Sequence, residues 1–257
     1  KLSQFIKPSN FKNILNNRIK DGKLISEIEI FFNKDGLLNN YIIKGDVVDL
    51  EANIYRGLNL SKTKFSFFAD KEDILIKNIF GNIENIQIKD GDMKLNLEDG
   101  LKVSSNFNTE IDLNSEFLKR NEILFKNNKI FDEIKFLIGN FSNSLSLNFD
   151  DTFKLINYEY KFSGNIQKSR IKLSKPFQSN LLNEEIKEIF LENTQIITNL
   201  TSKHLKLDIK GNYSLSGKDF LKLKLNSNLS NNLLNFTLSI ICGYIVEGIS
   251  PPKEEPP

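Results

Sequence analysis

"GDMKLNLEDGLKVSSNFNTEIDLN", Gly91 to Asn114, decides how the chain must be read. Met93, Leu95 and Leu97 alternate with Asp92, Lys94, Asn96 and Glu98. After Asp99-Gly100 the alternation resumes at Leu101, Val103, Phe107, Ile111 and Leu113, with Ser105 and Thr109 holding the phase. Strict period two is the signature of a strand with one apolar face and one wet face, and Asp-Gly between two such runs is a turn signal.

The same pattern extends in both directions. Upstream, "KLISEIEIFF" alternates at Ile28 and Ile30, and "NKDG" (Asn33 to Gly36) reads as a turn. "YIIKGDVVDLEANI" keeps Ile43, Gly45 and Val47 in phase, then shifts so that Val48, Leu50, Ala52 and Ile54 would face together. A shift inside one run predicts a bulge near Val47-Val48. Phe65 and Phe67, Ile74 and Ile76, and Ile86 and Ile88 mark three more strands, with Asp90-Gly91 read as the next turn. Downstream, Phe141, Leu145, Leu147 and Phe149 share one parity, as do Tyr158, Tyr160, Phe162, Gly164 and Ile166. "SRIKLSKP" reads as a short strand ended by Pro176. Leu205, Leu207, Ile209, Gly211 and Tyr213 alternate cleanly, followed by Leu221, Leu223 and Leu225 and by Leu234, Phe236, Leu238 and Ile240.

Three segments break the period. Pro8 with a Ser9 or Asn10 cap, and Phe11, Ile14, Leu15 and Ile19 on one side, predict a helix stopped by Asp21-Gly22. Asn114 to Asn128 has helical spacing. Asn180 to Phe190 reads as a loop or short helix leading into a strand near Ile189. The tail "SPPKEEPP" is Pro-rich and charged, which predicts disorder. The expected organisation is a lead-in (1–22), a first β segment (23–113), a helical insertion (114–128), a second β segment (129–248) and the tail (249–257). A lead-in followed by meandering strands recurs loosely, as in repeat architectures.

Composition narrows the function. Hydrophobic residues make up 39% of 257, modest for a closed globule of this length and better suited to an extended fold with a thin core. Net charge is +2 with both signs interspersed, against a nucleic-acid surface. Cys242 is the single cysteine, so no internal disulfide can form. No apolar run reaches the roughly 18 to 20 residues of a membrane span. The first residue is Lys rather than Met, so a fragment of a longer chain is expected, with any anchor or signal outside it.

Chemistry-bearing motifs are missing. His204 is the only histidine, flanked by Lys203 and Lys206 in "TSKHLKL", and reads as a surface residue. The pairs Asp70/Asp73, Asp90/Asp92 and Asp150/Asp151 read as turn formers, and "DKEDILI" lacks the spacing of a calcium loop. There is no phosphate-binding glycine loop, HExxH, CxxC or G-x-S-x-G. An enzyme is not expected, nor a cofactor or metal. Without tryptophan, and with its phenylalanines in phase with Leu and Ile, the apolar side suits an oily surface better than a sugar platform.

Two coverings of that side remain open. A sandwich or closed barrel would cover it with facing side chains, giving a structural or adhesin-like protein without ligand. A curved open sheet would leave an apolar trough that a lipid acyl chain could fill.

"FKNILNNRIKDGKLISEIEI" resembles the short helix, G-x-I/L and alternating strand of AsmA-like proteins, the bacterial envelope family that includes the YhdP and TamB groups. "FADKEDILIKNIFGNIENIQIKDGDMKLNL" is similar to their recurrent strand, linker and G-x-[IML]-x-[LV]. "LKRNEILFKNNKIFDEIKFLIGNFSNSLSLNF" resembles the opening of a later repeat. The resemblance spans roughly Ser9 to Ser239; the sequence from Cys242 onward departs from its motifs. It implies a mainly β, elongated, curved antiparallel meander with an open trough and short helices between repeats. It implies a lipid-transfer bridge anchored in the inner membrane and crossing the periplasm, with phospholipid acyl chains and other envelope proteins as partners. The groove-lining residues would be Met93, Leu95, Leu97, Leu101, Val103, Phe107, Ile111, Leu113, Leu145, Leu147, Phe149, Leu205, Leu207 and Ile209. Each has ordinary sheet core as its alternative.

Overall fold

The computed structural model describes residues 16–54, 58–98, 100–114, 134–152, 154–178, 185–230 and 233–241. They form one open antiparallel sheet of twelve strands in sequence order: β1 (Ile19–Phe32), β2 (Leu38–Asn53), β3 (Asn59–Ala69), β4 (Asp73–Ile83), β5 (Ile86–Asn96), β6 (Lys102–Leu113), β7 (Ile134–Phe149), β8 (Leu155–Phe177), β9 (Ile186–Thr201), β10 (His204–Ser214), β11 (Leu221–Ser230) and β12 (Leu233–Ile241). β1 and β12 are the two edges and do not pair with each other. Strands pack closely only against their sequence neighbours, so this is neither a closed barrel nor two stacked sheets.

Turn chemistry accounts for the meander. Asn33 Oδ1 accepts from the backbone N–H of Asp35 and Leu37 at 3.0 and 2.8 Å, and Gly36 (φ 77°) closes that turn. Asp70 Oδ1 accepts from the N–H of Glu72 and Asp73 at 2.9 and 2.7 Å. Asp150 Oδ1 does the same for Thr152 and Lys154 at 2.9 and 3.0 Å. A short side-chain acceptor at the first turn position replaces the backbone partner that the turn removes.

Bulges lie nearly in a line across the sheet. On six strands the apolar-side residues advance by three positions instead of two at one point: Val47 to Leu50, Leu60 to Thr63, Ile76 to Ile79, Ile88 to Gly91, Ile166 to Ser169 and Leu191 to Thr194. Each extra residue keeps the apolar side continuous while bending its strand. Four of these bulges hold a non-glycine residue at positive φ: Asp49 (53°), Lys62 (50°), Asn78 (55°) and Asn193 (47°). Asn and Asp accept this region better than other types.

Two of the bulges share one construction. Thr63 follows Lys62 and Thr194 follows Asn193; both threonines are buried, and each Oγ1 donates to the carbonyl two residues back, Ser61 and Glu192, at 3.1 Å. A glycine lies across each pair. A Cβ at Gly81 would meet Thr63 Oγ1 at 2.2 Å, and one at Gly211 would meet the Thr194 Cα at 2.4 Å.

Several expectations are corrected. β1 begins at Ile19, so Asp21-Gly22 lie in a strand and do not stop a helix; only Asn16 and Asn17 are helical among the described residues before it. The bulge expected near Val47-Val48 is present, at Val48-Asp49, but Val48 pairs with Lys23 rather than joining Leu50 and Ala52. Asp90-Gly91 is not a turn: both residues lie within β5, whose register shifts there, and the turn before it is Glu84-Asn85. "SRIKLSKP" is not a separate strand, because β8 runs unbroken for 23 residues through a bulge and past Pro176. Of the helix expected at 114–128 all but Asn114 lies outside the described residues, as do the segment at 180–184, Cys242 and the tail.

Gly211→Ala drives a methyl group into the Thr194 backbone and is expected to destabilise the sheet by about 1–3 kcal/mol, read as a lowered urea midpoint. Gly36→Ala is the contrasting control: nothing lies within 4 Å of its added Cβ, and only the positive φ opposes it.

Candidate functional site

Opposed residues in an antiparallel ladder share a face. Tracing the register therefore assigns every strand. One row runs Ile43, Ala69, Ile74, Leu95, Val103, Leu147 and Tyr158 across β2 to β8. The next runs Gly45, Phe67, Ile76, Met93, Ser105, Leu145, Tyr160, Leu200 and Leu205 across β2 to β10. The opposite face carries Lys102, Ser104, Asn106, Asn108 and Glu110 on β6, and Asn140, Ser142, Ser144 and Ser146 on β7.

The candidate lining residues fall on one side. Met93 and Leu95 on β5, Val103, Phe107, Ile111 and Leu113 on β6, and Leu145 and Leu147 on β7 are joined by direct register pairs or strand alternation. Leu205, Leu207 and Ile209 on β10 join them through β8 and β9. Phe149 continues the phase of β7. Leu97 and Leu101 lie just outside the strand ends, and Leu97, 41% exposed, stands at the rim.

This face has two zones. Phe141, Ile166, Leu191 and Tyr213 form a buried cluster, with Ile111, Leu137, Phe162 and Ile196 packed against it, and Leu113 is sealed at 4% exposure. Phe141 stacks on Phe162 with ring centroids 4.8 Å apart, and its ring occupies the space that a Cβ at Gly164 would need. In the rows through Val103 and Leu145, by contrast, the Leu, Ile, Val, Met, Phe and Tyr side chains of β2 to β10 are only half-buried. The alternating pattern puts Phe141, Ile166 and Tyr213 in phase, but nothing in it separates the packed rows from the open ones.

The polar atoms on the apolar side satisfy one another. Tyr160 Oη donates to Asn143 Oδ1 at 2.8 Å, Asn143 Nδ2 donates to Thr109 Oγ1 at 3.2 Å, and Thr109 Oγ1 donates to the Phe141 carbonyl at 3.3 Å. Burial raises the Tyr160 phenol above its ordinary pKa. The relay ends on a backbone acceptor, so this stretch of the face offers a ligand little hydrogen-bonding demand.

The other face is held by ion pairs: Lys77–Asp92 and Lys94–Asp73 at 2.9 Å, Lys89–Glu110 at 2.7 Å and Lys44–Glu27 at 3.0 Å. Two of its aromatic rings are capped by the cation directly opposite, Phe80 by Lys64 and Phe190 by Arg170. The hydrogen bond from Lys94 holds the Asp73 carboxyl below its ordinary value, as that from Lys77 does for Asp92. Asp92 is therefore a mid-strand partner of β4, not a turn former; its second oxygen accepts the Asn78 backbone N–H at 3.1 Å, on the bulge. His204 opens β10, exposed, its N–H on Thr201 Oγ1 at 3.0 Å. Among the described residues no group of three His, Cys, Asp or Glu is placed to hold a metal ion, and no helix is long and apolar enough to cross a membrane.

Compared with protein-family models, curated proteins and solved structures, the chain has no match.

Asp73, Asp92 and Asp150 have depressed folded-state pKa values, the last through its Thr152 hydroxyl bond. The stability they contribute is present above the ordinary value of 3.8 and is lost as pH falls through their folded values. Tm is expected to drop below about pH 4, with a shallower drop in Asp73→Asn/Asp92→Asn; an unchanged slope in that variant would assign the acid sensitivity elsewhere.

Proposed function

We propose that this chain is a groove segment of a bridge-like lipid-transfer protein of the cell envelope, shielding phospholipid acyl chains along its apolar face. One observation carries the reading: rows of half-buried Leu, Ile, Val, Met, Phe and Tyr, with only Gly45, Ala69 and Ser105 among them, run across β2 to β10, with no second sheet over them among the described residues. A monomeric soluble protein rarely leaves so extended an apolar surface without a use for it.

Acyl chains suit such a surface because they make no directional demands. Each buried CH₂ contributes about 0.8 kcal/mol, so a long chain gains on the order of ten kcal/mol on leaving water. The Tyr160–Asn143–Thr109 relay supports the same reading, since it silences the polar groups that a hydrocarbon chain would otherwise leave unpaired. The likeness of its helix-and-strand motifs to AsmA-like proteins extends the proposal to a periplasmic location and a membrane anchor outside this segment, with other envelope proteins as partners. Catalysis forms no part of it. An adhesin-like sandwich would need a facing sheet over the same rows, and the twelve described strands make one layer.

The test is mass spectrometry of lipids extracted from the purified chain, expressed with a periplasmic signal, beside Leu95→Asp/Leu97→Asp/Val103→Asp. Phospholipid on the wild type and none on a variant with unchanged circular dichroism is the expected result. A well-folded wild type free of lipid would mean that the face serves another purpose.

A further inference from the structure

The polar face is not uniform. Residues 203–226 hold six lysines and two aspartates, although the whole chain is nearly neutral. Three of those lysines converge. Lys210 on β10 stands directly opposite Lys224 on β11, and Lys222 lies two residues away on the same face, donating to Asn212 Oδ1 at 3.0 Å. Like charges placed opposite each other across two strands repel.

Among the described residues neither Lys210 nor Lys224 has an ion-pair partner. Asp208, on the same face, is engaged by Lys206 at 3.4 Å and by the Asn226 amide. Glu192, across from Asn212, faces Lys168 at 3.9 Å.

The lysines border a depression of about 510 Å³, beside the bulge at Asn193. Asn165, Asn193, Gln195 and Asn212 also line it, and among the described residues no carboxylate does. Three ammonium groups and four carboxamides around one hollow amount to a concentration of positive charge and neutral donors without an internal counterion.

We propose that this depression binds a phosphate-class oxyanion: a phosphomonoester, phosphodiester or polyphosphate group. A multiply charged tetrahedral anion would take charge-assisted hydrogen bonds from Lys210, Lys222 and Lys224 and relieve the repulsion between the opposed pair. The hollow is larger than a single carboxylate needs. The site lies on the face opposite the apolar rows and does not depend on their carrying lipid.

Calorimetric titration of the whole chain with pyrophosphate, at ionic strength matched with chloride, tests the soluble source. Flotation with phosphatidylglycerol vesicles, against phosphatidylcholine vesicles, tests the headgroup source. Saturable binding in either arm that weakens at least about tenfold in Lys210→Gln/Lys224→Gln, and returns in Lys210→Arg/Lys224→Arg, supports the proposal and names the source. The glutamine variant should keep its circular dichroism, because both side chains are exposed. No binding beyond chloride in either arm, or binding that survives the glutamine pair, overturns it.

Discussion

Everything in this structure depends on keeping twelve strands in a register that never exchanges their faces. A side chain changes sides with every residue, so a slip of one position would carry a whole strand's apolar set into water. The chain nonetheless inserts extra residues on six strands. The face survives because each insertion is local and its apolar sequence resumes three positions on, as from Ile88 to Gly91 opposite Thr109 and Phe107. Thr63 against Gly81 and Thr194 against Gly211 bring neighbouring strands into close contact at these points. The bulge line can therefore bend the sheet without scrambling it.

That arrangement divides one face into two kinds of surface. Around Phe141, Ile166, Leu191 and Tyr213 the side chains cover one another and supply the cohesion of a core. In the rows through Val103 and Leu145 they do not. The first zone gives the sheet a reason to hold together without a second layer; the second leaves hydrocarbon facing solvent. Isolated, the open rows would be a liability, and the ion pairs and cation-capped rings opposite them keep the other face wet.

Much of this was legible from residue order because a half-exposed strand writes its two environments directly into alternate positions. The runs from Met93 to Leu113 and from Leu205 to Tyr213 needed no further information. Turns at Asn33 and Asp150 were legible through the short side-chain acceptors they require. Bulges were legible only where the phase visibly changed, as at Val47-Val48; elsewhere an extra residue inside a strand resembles the end of one strand and the start of the next. Asp90-Gly91 therefore read as a turn, and the bulge within β8 divided one strand into two. The Lys210–Lys224 opposition was equally hidden: it exists only once β10 and β11 are paired, because alternation places lysines on a face without saying what stands opposite.

Because the described strands pack closely only against their sequence neighbours, the sheet behaves as a one-dimensional chain of interfaces rather than a single cooperative globule. β1, at one edge, exposes Ile25, Ile28 and Ile30 and has a neighbour on one side only, whereas β7, β8 and β9 meet neighbours on both sides and share the packed cluster. Opening can begin at the margin and stop before the centre, and amide protection should grade from the margin inward. The same arithmetic applies to growth. Each added strand would widen the face by about 4.8 Å and require only one new interface, so the reach of such a sheet is set by how many hairpins are strung together.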